Sequence, residues 1–453
     1  MEENLFVNYI NEDYIKEYYL EKIQYKSGIG IDKINKKSFK DNLEKYSHYI
    51  VKKINNNTYK FTQYREILIS KGRNKHPRVI SIPTIKDKIT LTILKDILYD
   101  LFNSDLENNP VKTIINNIKD TVDRNEFDYY IKLDLKKFYD SLDHKYLLSK
   151  VSEKITKPEL LNLIVKSIKT PTIEMNEPKK GRKKKNDIGV PQGLPISNIL
   201  ANIYFIDFDK KHIHSNRYKY FRYVDDILIL CKKKDADKIK NTISNELTDK
   251  LTFNLELHDE KKKEGDITQG FSYLGYLIKN NKLSVRDTSL HKLELAIEEL
   301  FVEYKNSQQK NLKLLIWKLN IKITGIIDTE SKTKYGWVIF FSQINNTGVL
   351  RHLDRLVTKL IHRFNLEKKI NENNLEVKKF LRTYYEVNFR LNKTNYIFKP
   401  AKYNLDDKKK LLNETFKMKV DNWDEDTVNY RFKKIIHDSI KDLEKDLQNS
   451  TSG

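Results

Sequence analysis

The sequence predicts an α+β fold, and three observations carry that expectation. Runs rich in Ile, Val and Tyr alternate with helical segments between about residues 64 and 278. From about residue 285 the apolar residues fall at helical spacing instead. Within the alternating region, two adjacent aspartates, Asp225 and Asp226, interrupt the apolar run FRYVDDILIL (221–230), where two strands and a tight turn are expected.

In chain order, residues 1–60 read as helices broken at GIGID (28–32). YREILISKGRNKHPRVISIP (64–83) reads as a β-hairpin whose turn holds Gly72, Asn74 and several cations. A helix over 84–103 places Ile89, Ile93, Leu94 and Ile97 on one face. FDYYIKLDL (127–135) reads as a strand, with a helical segment after Phe138, further helices to about 170 and then a basic loop. GVPQGLPISNILANIYFIDFDKK (189–211) turns into a helix, where Ser197 and Asn198 could serve as caps. KDADKIKNTISNELTDKL (234–251) is an amphipathic helix, and FSYLGYLI (271–278) reads as one strand. Beyond it, Leu290, Leu293, Ile297, Leu300, Phe301 and Tyr304 form one helical stripe. Leu353, Leu356, Val357, Leu360, Ile361 and Phe364 form another, opposite a face carrying Arg355, Lys359 and Arg363. Residues 366–453 read as charged helices with a polar, fraying end, NSTSG.

The chain of 453 residues is long enough for two or three domains. Its net charge of +22 favours a polyanionic partner, nucleic acid first, although a lysine-rich genome would give the same composition. A single cysteine, Cys231, excludes a disulfide or a Cys-based zinc site within the chain and reads as core filler. The N-terminus MEENLFVNYI shows neither the basic nor the apolar region of a signal peptide, and no run reaches membrane-helix length. A cytoplasmic protein without a membrane partner is therefore expected.

Asp134 ends the strand YYIKLDL, and a turn at Asp225 and Asp226 beside it would gather three carboxylates at one sheet edge. Unpaired, they would repel one another or force protonation. Two Mg²⁺ ions would relieve the repulsion, because Mg²⁺ accepts carboxylate, phosphate and water oxygens. Two metals about 3.5–4 Å apart can serve both the attacking and the leaving oxygen, which is what nucleotidyl transfer needs. A separation beyond about 10 Å between Asp134 and the 225–226 pair would rule this out.

LDLKKFYDSLDH (133–144), GVPQGLPISNILANIYF (189–205) and FRYVDDILIL, in this order, resemble motifs A, B and C of reverse transcriptases. The resemblance extends upstream to the basic hairpin and downstream to FSYLGYLI, which is similar to the primer-grip strand; it covers about residues 25–280. It implies a right-hand polymerase fold of fingers, palm with antiparallel sheet, and helical thumb, plus a C-terminal helical extension. The expected boundaries are 1–120 for the N-terminal extension and fingers, and 121–284 for the palm, with an insertion at about 150–188. The thumb then takes 285–365 and the extension 366–453. The implied activity is RNA-directed DNA synthesis with two Mg²⁺ ions (Mn²⁺ as a substitute) on Asp134, Asp225 and Asp226.

The same resemblance implies roles for further residues. Tyr139 stands where such enzymes hold an aromatic gate against a ribose 2′-hydroxyl, and Phe138 beside it is counted with the nucleotide pocket. Gln192 matches the glutamine lining that pocket, in a turn where Gly189 and Gly193 let the backbone approach closely. Arg78 matches the fingers arginine over the incoming base and triphosphate, with Lys71 as a second phosphate cation. Lys261 falls where a lysine protonates the leaving pyrophosphate, although Lys262 and Lys263 leave that register open to a solvated charge run. His144 is read as structural. The run EPKKGRKKKND (177–187), with Arg182, Lys183 and Lys184, reads either as a template-phosphate contact or as a solvated loop; by composition it also resembles a nuclear-localisation signal.

GIGIDKINKKSFKDNLEKYSHYIVKKINNNTYKF (28–61), LNIKITG (319–325), YGWVIFF (335–341) and HLDRLVTKLIHRF (352–364) are similar to the group II intron branch of the family. On that likeness Arg355, Lys359 and Arg363 would lie along a template–primer duplex. A VTG signature of the retron kind is missing after motif D, and the ITG at 323–325 falls too late. Neither a ribonuclease H constellation nor an HNH endonuclease motif follows. The chain therefore resembles stand-alone bacterial enzymes of this branch, whose members include defence-associated (antiphage) reverse transcriptases. The expected partners are an RNA template (a noncoding RNA), dNTPs and the DNA product, with a protein partner or second copy possible. An intron maturase is the alternative.

Overall fold

The structure is a computed structural model and describes residues 2–25, 28–70, 76–107, 109–175, 185–253, 264–329 and 333–451. The chain divides into two compact units, residues 1–108 with 129–265 and residues 109–128 with 266–453.

The first unit holds two sheets. Strands β1 (Tyr64–Ile69) and β2 (Arg78–Ile82) form the expected antiparallel hairpin, in register from Arg65 opposite Ile82 to Ile69 opposite Arg78. A two-residue strand, β4 (Thr172–Ile173), runs parallel to β1 on its other side, and Ser81 and Thr172 share a hydroxyl–hydroxyl bond of 2.7 Å. The larger sheet is built from β3 (Tyr129–Asp134), β5 (Tyr218–Tyr223), β6 (Asp226–Cys231) and β7 (Glu264–Asp266), in the order β5-β6-β3-β7. β6 therefore runs between two neighbours. Every residue from Ile227 to Cys231 is buried, Ile227, Ile229 and Cys231 in the main core and Leu228 and Leu230 on the opposite face. Burial on both faces explains why this strand reads as an uninterrupted apolar run, and Cys231 packs as the sequence suggests.

Helix Ile85–Phe102 follows the hairpin, with Ile89, Ile93, Leu94 and Ile97 all buried as expected. Its start is fixed by a capping threonine and a carboxylate. The Asp87 N–H donates to Thr84 Oγ1 at 3.2 Å, which satisfies one otherwise orphaned helix donor. The Asp87 carboxylate, fully buried, accepts from the Thr84 hydroxyl at 2.7 Å, the Tyr59 hydroxyl at 2.8 Å and the Thr62 N–H at 3.0 Å. Burial pushes this carboxyl up, opposed by Lys86 and the three donors.

In the second unit, FSYLGYLI is not one strand. It is a hairpin of β8 (Phe271–Tyr273) and β9 (Tyr276–Lys279), extended by β10 (Lys282–Val285). Leu274 (φ 48°) and Gly275 (φ 82°) both take positive φ, as a two-residue turn matching strand twist requires. The apolar stripes expected downstream are present. Leu293, Ile297 and Phe301 are buried on helix Asp287–Asn306, and Leu353, Val357 and Leu360 on helix Gly348–Arg363. The helix-only expectation is corrected at one place: after helix Leu312–Thr324 comes a short hairpin, β11 (Ile326–Asp328) with β12 (Thr333–Tyr335). Gly325, at φ 72°, lies so close to this hairpin that a Cβ would meet the Tyr335 carbonyl oxygen at 2.1 Å. Of the end expected to fray, residues 449–451 close the helix Glu425–Thr451, and residues 452–453 lie outside the described residues. Among the described residues no helix is long and apolar enough to cross a membrane.

Asp87→Ala would strand three buried donors. It should lower stability by about 3 kcal/mol, a typical cost for breaking a buried network, read from urea unfolding; a loss below about 1 kcal/mol would show that the network is not what anchors this helix.

Candidate active site

Sheet register decides where the three aspartates lie. In the β3–β6 pairing Leu133 faces Ile227 and Asp134 faces Asp226 directly. Directly opposite antiparallel residues stand about 4.5–5.5 Å apart at Cα with side chains on one face, well inside the limit set above. β5 and β6 pair from Tyr218–Cys231 to Tyr223–Asp226, which leaves Val224 and Asp225 as the two turn residues. All three carboxylates thus belong to one corner of the sheet, where each is half-buried. Among the described residues, however, no three His, Cys, Asp or Glu side chains stand as a finished metal-ion cage. The donors are the hard oxygens Mg²⁺ prefers, and Mg²⁺ normally keeps waters and takes phosphate oxygens alongside one or two carboxylates. The donor atoms are of the kind Mg²⁺ takes, and nucleotide and water oxygens would have to complete any such site.

The turn is held from behind by residues the sequence reading did not single out. Val224 sits at φ 57°, an uncommon conformation for a β-branched residue. Arg222 donates from Nη1 to the Val224 carbonyl at 2.9 Å. The same guanidinium binds Asp209 in a two-pronged pair, Nε to Oδ1 at 2.9 Å and Nη2 to Oδ2 at 2.5 Å, and lies 4.5 Å from the Phe205 ring centroid. Tyr220 donates its hydroxyl to Asp209 at 2.8 Å, and the two charged side chains are 7% and 8% exposed. The only sequence signal was an arginine inside an apolar strand, with its partner thirteen positions away.

Opposite the turn, Asp134 leads through Lys137, in the left-handed region at φ 49°, into the short helix Phe138–Ser141. Phe138, expected at the nucleotide pocket, is corrected: it is 4% exposed and stacks on Phe253 at 5.6 Å beneath Tyr139. Tyr139 lies at the site. Burial and then the Asp225 carboxylate push its hydroxyl up to about 12, against the pull of Arg78 and Arg222. It is therefore a neutral group across the ordinary pH range, within electrostatic reach of both Asp225 and Arg78.

The 189–193 loop joins the segments. Val190 N–H donates to the Tyr139 carbonyl and Gly189 N–H to the Leu142 carbonyl, both at 2.8 Å. Ser81 N–H of β2 donates to the Gln192 carbonyl at 2.8 Å. At Gly193, φ 97°, a Cβ would meet Ile80 Cγ2 at 2.7 Å, so only glycine admits the hairpin this closely. His144 Nε2 bonds the Gly189 carbonyl at 2.6 Å, a structural role as expected. Ser197 is not a cap; its hydroxyl donates to the Pro191 carbonyl at 2.7 Å and braces the same loop. Tyr139, Gln192 and Arg78 are thus tied to one place by backbone bonds. Lys71, Lys261, Arg182, Lys183 and Lys184 lie outside the described residues. Arg355, Lys359 and Arg363 are exposed on one face of helix Gly348–Arg363, in the second unit.

Residues 69–278 match the protein family described as Reverse transcriptase (RNA-dependent DNA polymerase). The chain carries an RNA-directed DNA polymerase domain. This reverse transcriptase domain is related to group II intron-encoded proteins and to bacterial YkfC. Protein YkfC of Escherichia coli is 23% identical over 340 residues, 64% of this chain and 85% of YkfC. The group II intron-encoded protein LtrA of Lactococcus lactis is 28% identical over 169 residues, 36% of this chain and 27% of LtrA. An uncharacterized 91 kDa protein in a cob intron of Schizosaccharomyces pombe is 30% identical over 174 residues, 36% of this chain. The chain spans only 20% of that last protein's length. Among solved structures, telomerase from Candida albicans superposes with a TM-score of 0.42 at 14% identity, covering 87% of this chain and 68% of that one, too distant a likeness to argue from.

Arg222→Met leaves the Asp209 carboxylate buried without its counter-charge, so the protein should lose about 3–5 kcal/mol of stability. Replacing both partners, Asp209→Leu with Arg222→Met, should restore much of it. DNA synthesis by the double variant should stay below about a tenth of the original, because the Val224 carbonyl has lost its donor and a misplaced turn is costly. Full activity in that variant would show that Arg222 does not position the turn.

Proposed function

We propose that Asp134, Asp225 and Asp226 form the catalytic centre of template-directed DNA synthesis, in which a primer 3′-hydroxyl attacks the α-phosphorus of a dNTP. The observation that carries this reading is the register of Asp134 opposite Asp226, with the Tyr139 hydroxyl influenced by both Asp225 and Arg78. The three carboxylates would hold two Mg²⁺ ions, or Mn²⁺ in their place, which activate the attacking oxygen and neutralise charge on the leaving pyrophosphate. Tyr139 fills the space a 2′-hydroxyl would need and so selects the deoxyribose. Arg78, at the start of β2, meets the triphosphate, and Gln192 borders the base on a loop fixed to both neighbours. Lys71 would add a second phosphate cation and Lys261 a proton for pyrophosphate, both on resemblance alone. Residues 1–120, 121–284, 285–365 and 366–453 serve as fingers, palm, thumb and extension. Arg355, Lys359 and Arg363 of the thumb, with Arg182, Lys183 and Lys184 of the basic loop, contact nucleic-acid phosphates without reading sequence.

The template is a noncoding RNA and the setting cytoplasmic antiphage defence, on the likeness to stand-alone bacterial enzymes of the group II branch. A maturase role is the second reading, favoured by the relation to LtrA and the cob intron protein, both intron-encoded. Sequencing the nucleic acid that co-purifies separates them: surrounding intron RNA supports the maturase, a discrete noncoding RNA with nascent DNA supports defence.

Replacing Asp225 and Asp226 together by Ala should abolish labelled dNTP incorporation on an RNA template while leaving RNA binding largely intact; retained synthesis would overturn the assignment. Tyr139→Ala should raise ribonucleotide incorporation relative to dNTP by about ten-fold, the equivalent of about 1.4 kcal/mol in the competing transition states. An unchanged sugar preference would remove Tyr139 from the gate role.

A further inference from the structure

The second unit contains a cleft that the polymerase reading leaves unused. It measures about 490 Å³, and Trp317, Asn320, Tyr396, Lys399, Lys402 and Tyr403 contribute to its walls. A more open hollow of about 740 Å³ adjoins it through Lys378, Asn395 and Tyr396. Together the two are lined by the cations Lys378, Arg382, Arg390, Lys393, Lys399 and Lys402, against the carboxylates Glu376 and Glu386.

Two groups inside are short of partners. Lys399 is 7% exposed, yet its ammonium has one contact among the described residues, the Leu391 carbonyl at 3.3 Å, and no carboxylate partner. Burying a charge without a counter-charge is costly, and here Lys402 lies nearby as a second cation, so that burial and Lys402 together push the Lys399 ammonium down. The Trp317 indole nitrogen is buried with no hydrogen-bond partner among the described residues. An indole N–H can only donate, and buried donors are rarely left unmade. The Lys399 ammonium at the cleft calls for an anion.

The wall also carries aromatic rings. Trp317 stands edge-on to Phe398 at 6.2 Å, and Phe398 packs on Tyr403 at 5.1 Å. At the boundary between cleft and hollow, Lys378 and Arg382 lie 4.4 and 4.2 Å from the Tyr396 ring centroid. Cations interleaved with aromatic rings are the chemistry of single-strand binding, where bases stack and phosphates follow a basic track. An acidic peptide would use the cations and leave the rings idle.

We infer that the joined clefts bind a single-stranded polynucleotide. One phosphate rests on Lys399 and Lys402, and the following phosphates run toward Arg382, Arg390 and Lys393. The proposal goes beyond the polymerase reading: it gives residues 376–403 a ligand of their own, independent of catalysis.

The test is ultraviolet crosslinking of the full chain to short single-stranded RNA carrying 4-thiouridine, with thiothymidine DNA of the same sequence as a second arm and crosslinked peptides mapped by mass spectrometry. Crosslinks should map to Trp317, Tyr396 or Tyr403. They should fall about five-fold or more in Lys399→Met, which keeps the stem of the side chain, and in Lys402→Ala, an exposed change, as expected for losing a phosphate contact. Crosslinking of RNA alone makes the ligand RNA; equal crosslinking of both makes it either polynucleotide. The Asp225→Ala, Asp226→Ala chain should give the same crosslinks at this cleft, so failure of the polymerase reading would show separately. No crosslink at the cleft, no effect of either lysine variant, or displacement by poly-glutamate as effective as by unlabelled RNA would each overturn the proposal.

Discussion

The constraint on which the candidate site depends is the register between β3 and β6. A slip of one residue would turn every side chain of β6 to the other face of the sheet. Ile227, Ile229 and Cys231 face the main core in the observed register, with Leu228 and Leu230 buried behind them. Both faces of β6 are apolar, so the pattern of its side chains does not set the register by itself; the ladder from Tyr129 opposite Cys231 to Asp134 opposite Asp226, with the β5–β6 turn, carries it. Like charges directly opposite one another disfavour a sheet, so the rest of the ladder holds this pairing against the aspartates.

Around this register the supporting contacts are mostly backbone bonds and one buried ion pair. The β5–β6 turn keeps a valine at positive φ, which costs of order 1–3 kcal/mol and persists only where surroundings enforce it. Arg222, saturated by Asp209 on one side and bonded to the Val224 carbonyl on the other, supplies that enforcement. The 189–193 loop does the equivalent for the pocket wall, since bonds from Val190 to Tyr139 and from Ser81 to Gln192 link three segments distant in sequence. Side chains mounted on such a frame need little reorganisation when substrate arrives, which is the condition for positioning to help chemistry.

What the sequence made legible followed from periodicity and local chemistry. Alternation located β3, an uninterrupted apolar run located β6, helical spacing found the buried face of Ile85–Phe102, and the company of the two aspartates located the turn. What stayed hidden depended on contacts between distant segments or on unmarked dihedrals. Leu274 gives no sign of positive φ, so FSYLGYLI passed for one strand. Phe138 was placed with the pocket because it adjoins Tyr139, although neighbours in a short helix point to different sides and only Tyr139 faces the aspartate turn. Arg222 needed Asp209, and the cleft in the second unit needed Trp317 beside Lys399; neither pairing shows in a local window.

The chain contains its own control for how much an acidic pair means. Asp406 and Asp407 are also adjacent, yet they open the helix Leu405–Lys410, where Asp407 and Asn404 bond each other's backbone N–H in a capping box. That pair lies just after the capping Asn404 and Leu405 and is followed by three lysines, so its charges meet a helix N-terminus and its own basic last turn. Asp225 and Asp226 have strand on both sides and a third aspartate delivered by register. The same two residues cap a helix in one setting and crowd a sheet corner in the other. The difference lies in the backbone around them: a helix terminus offers its N–H donors to the aspartates, whereas the hairpin corner sets its pair against a third carboxylate.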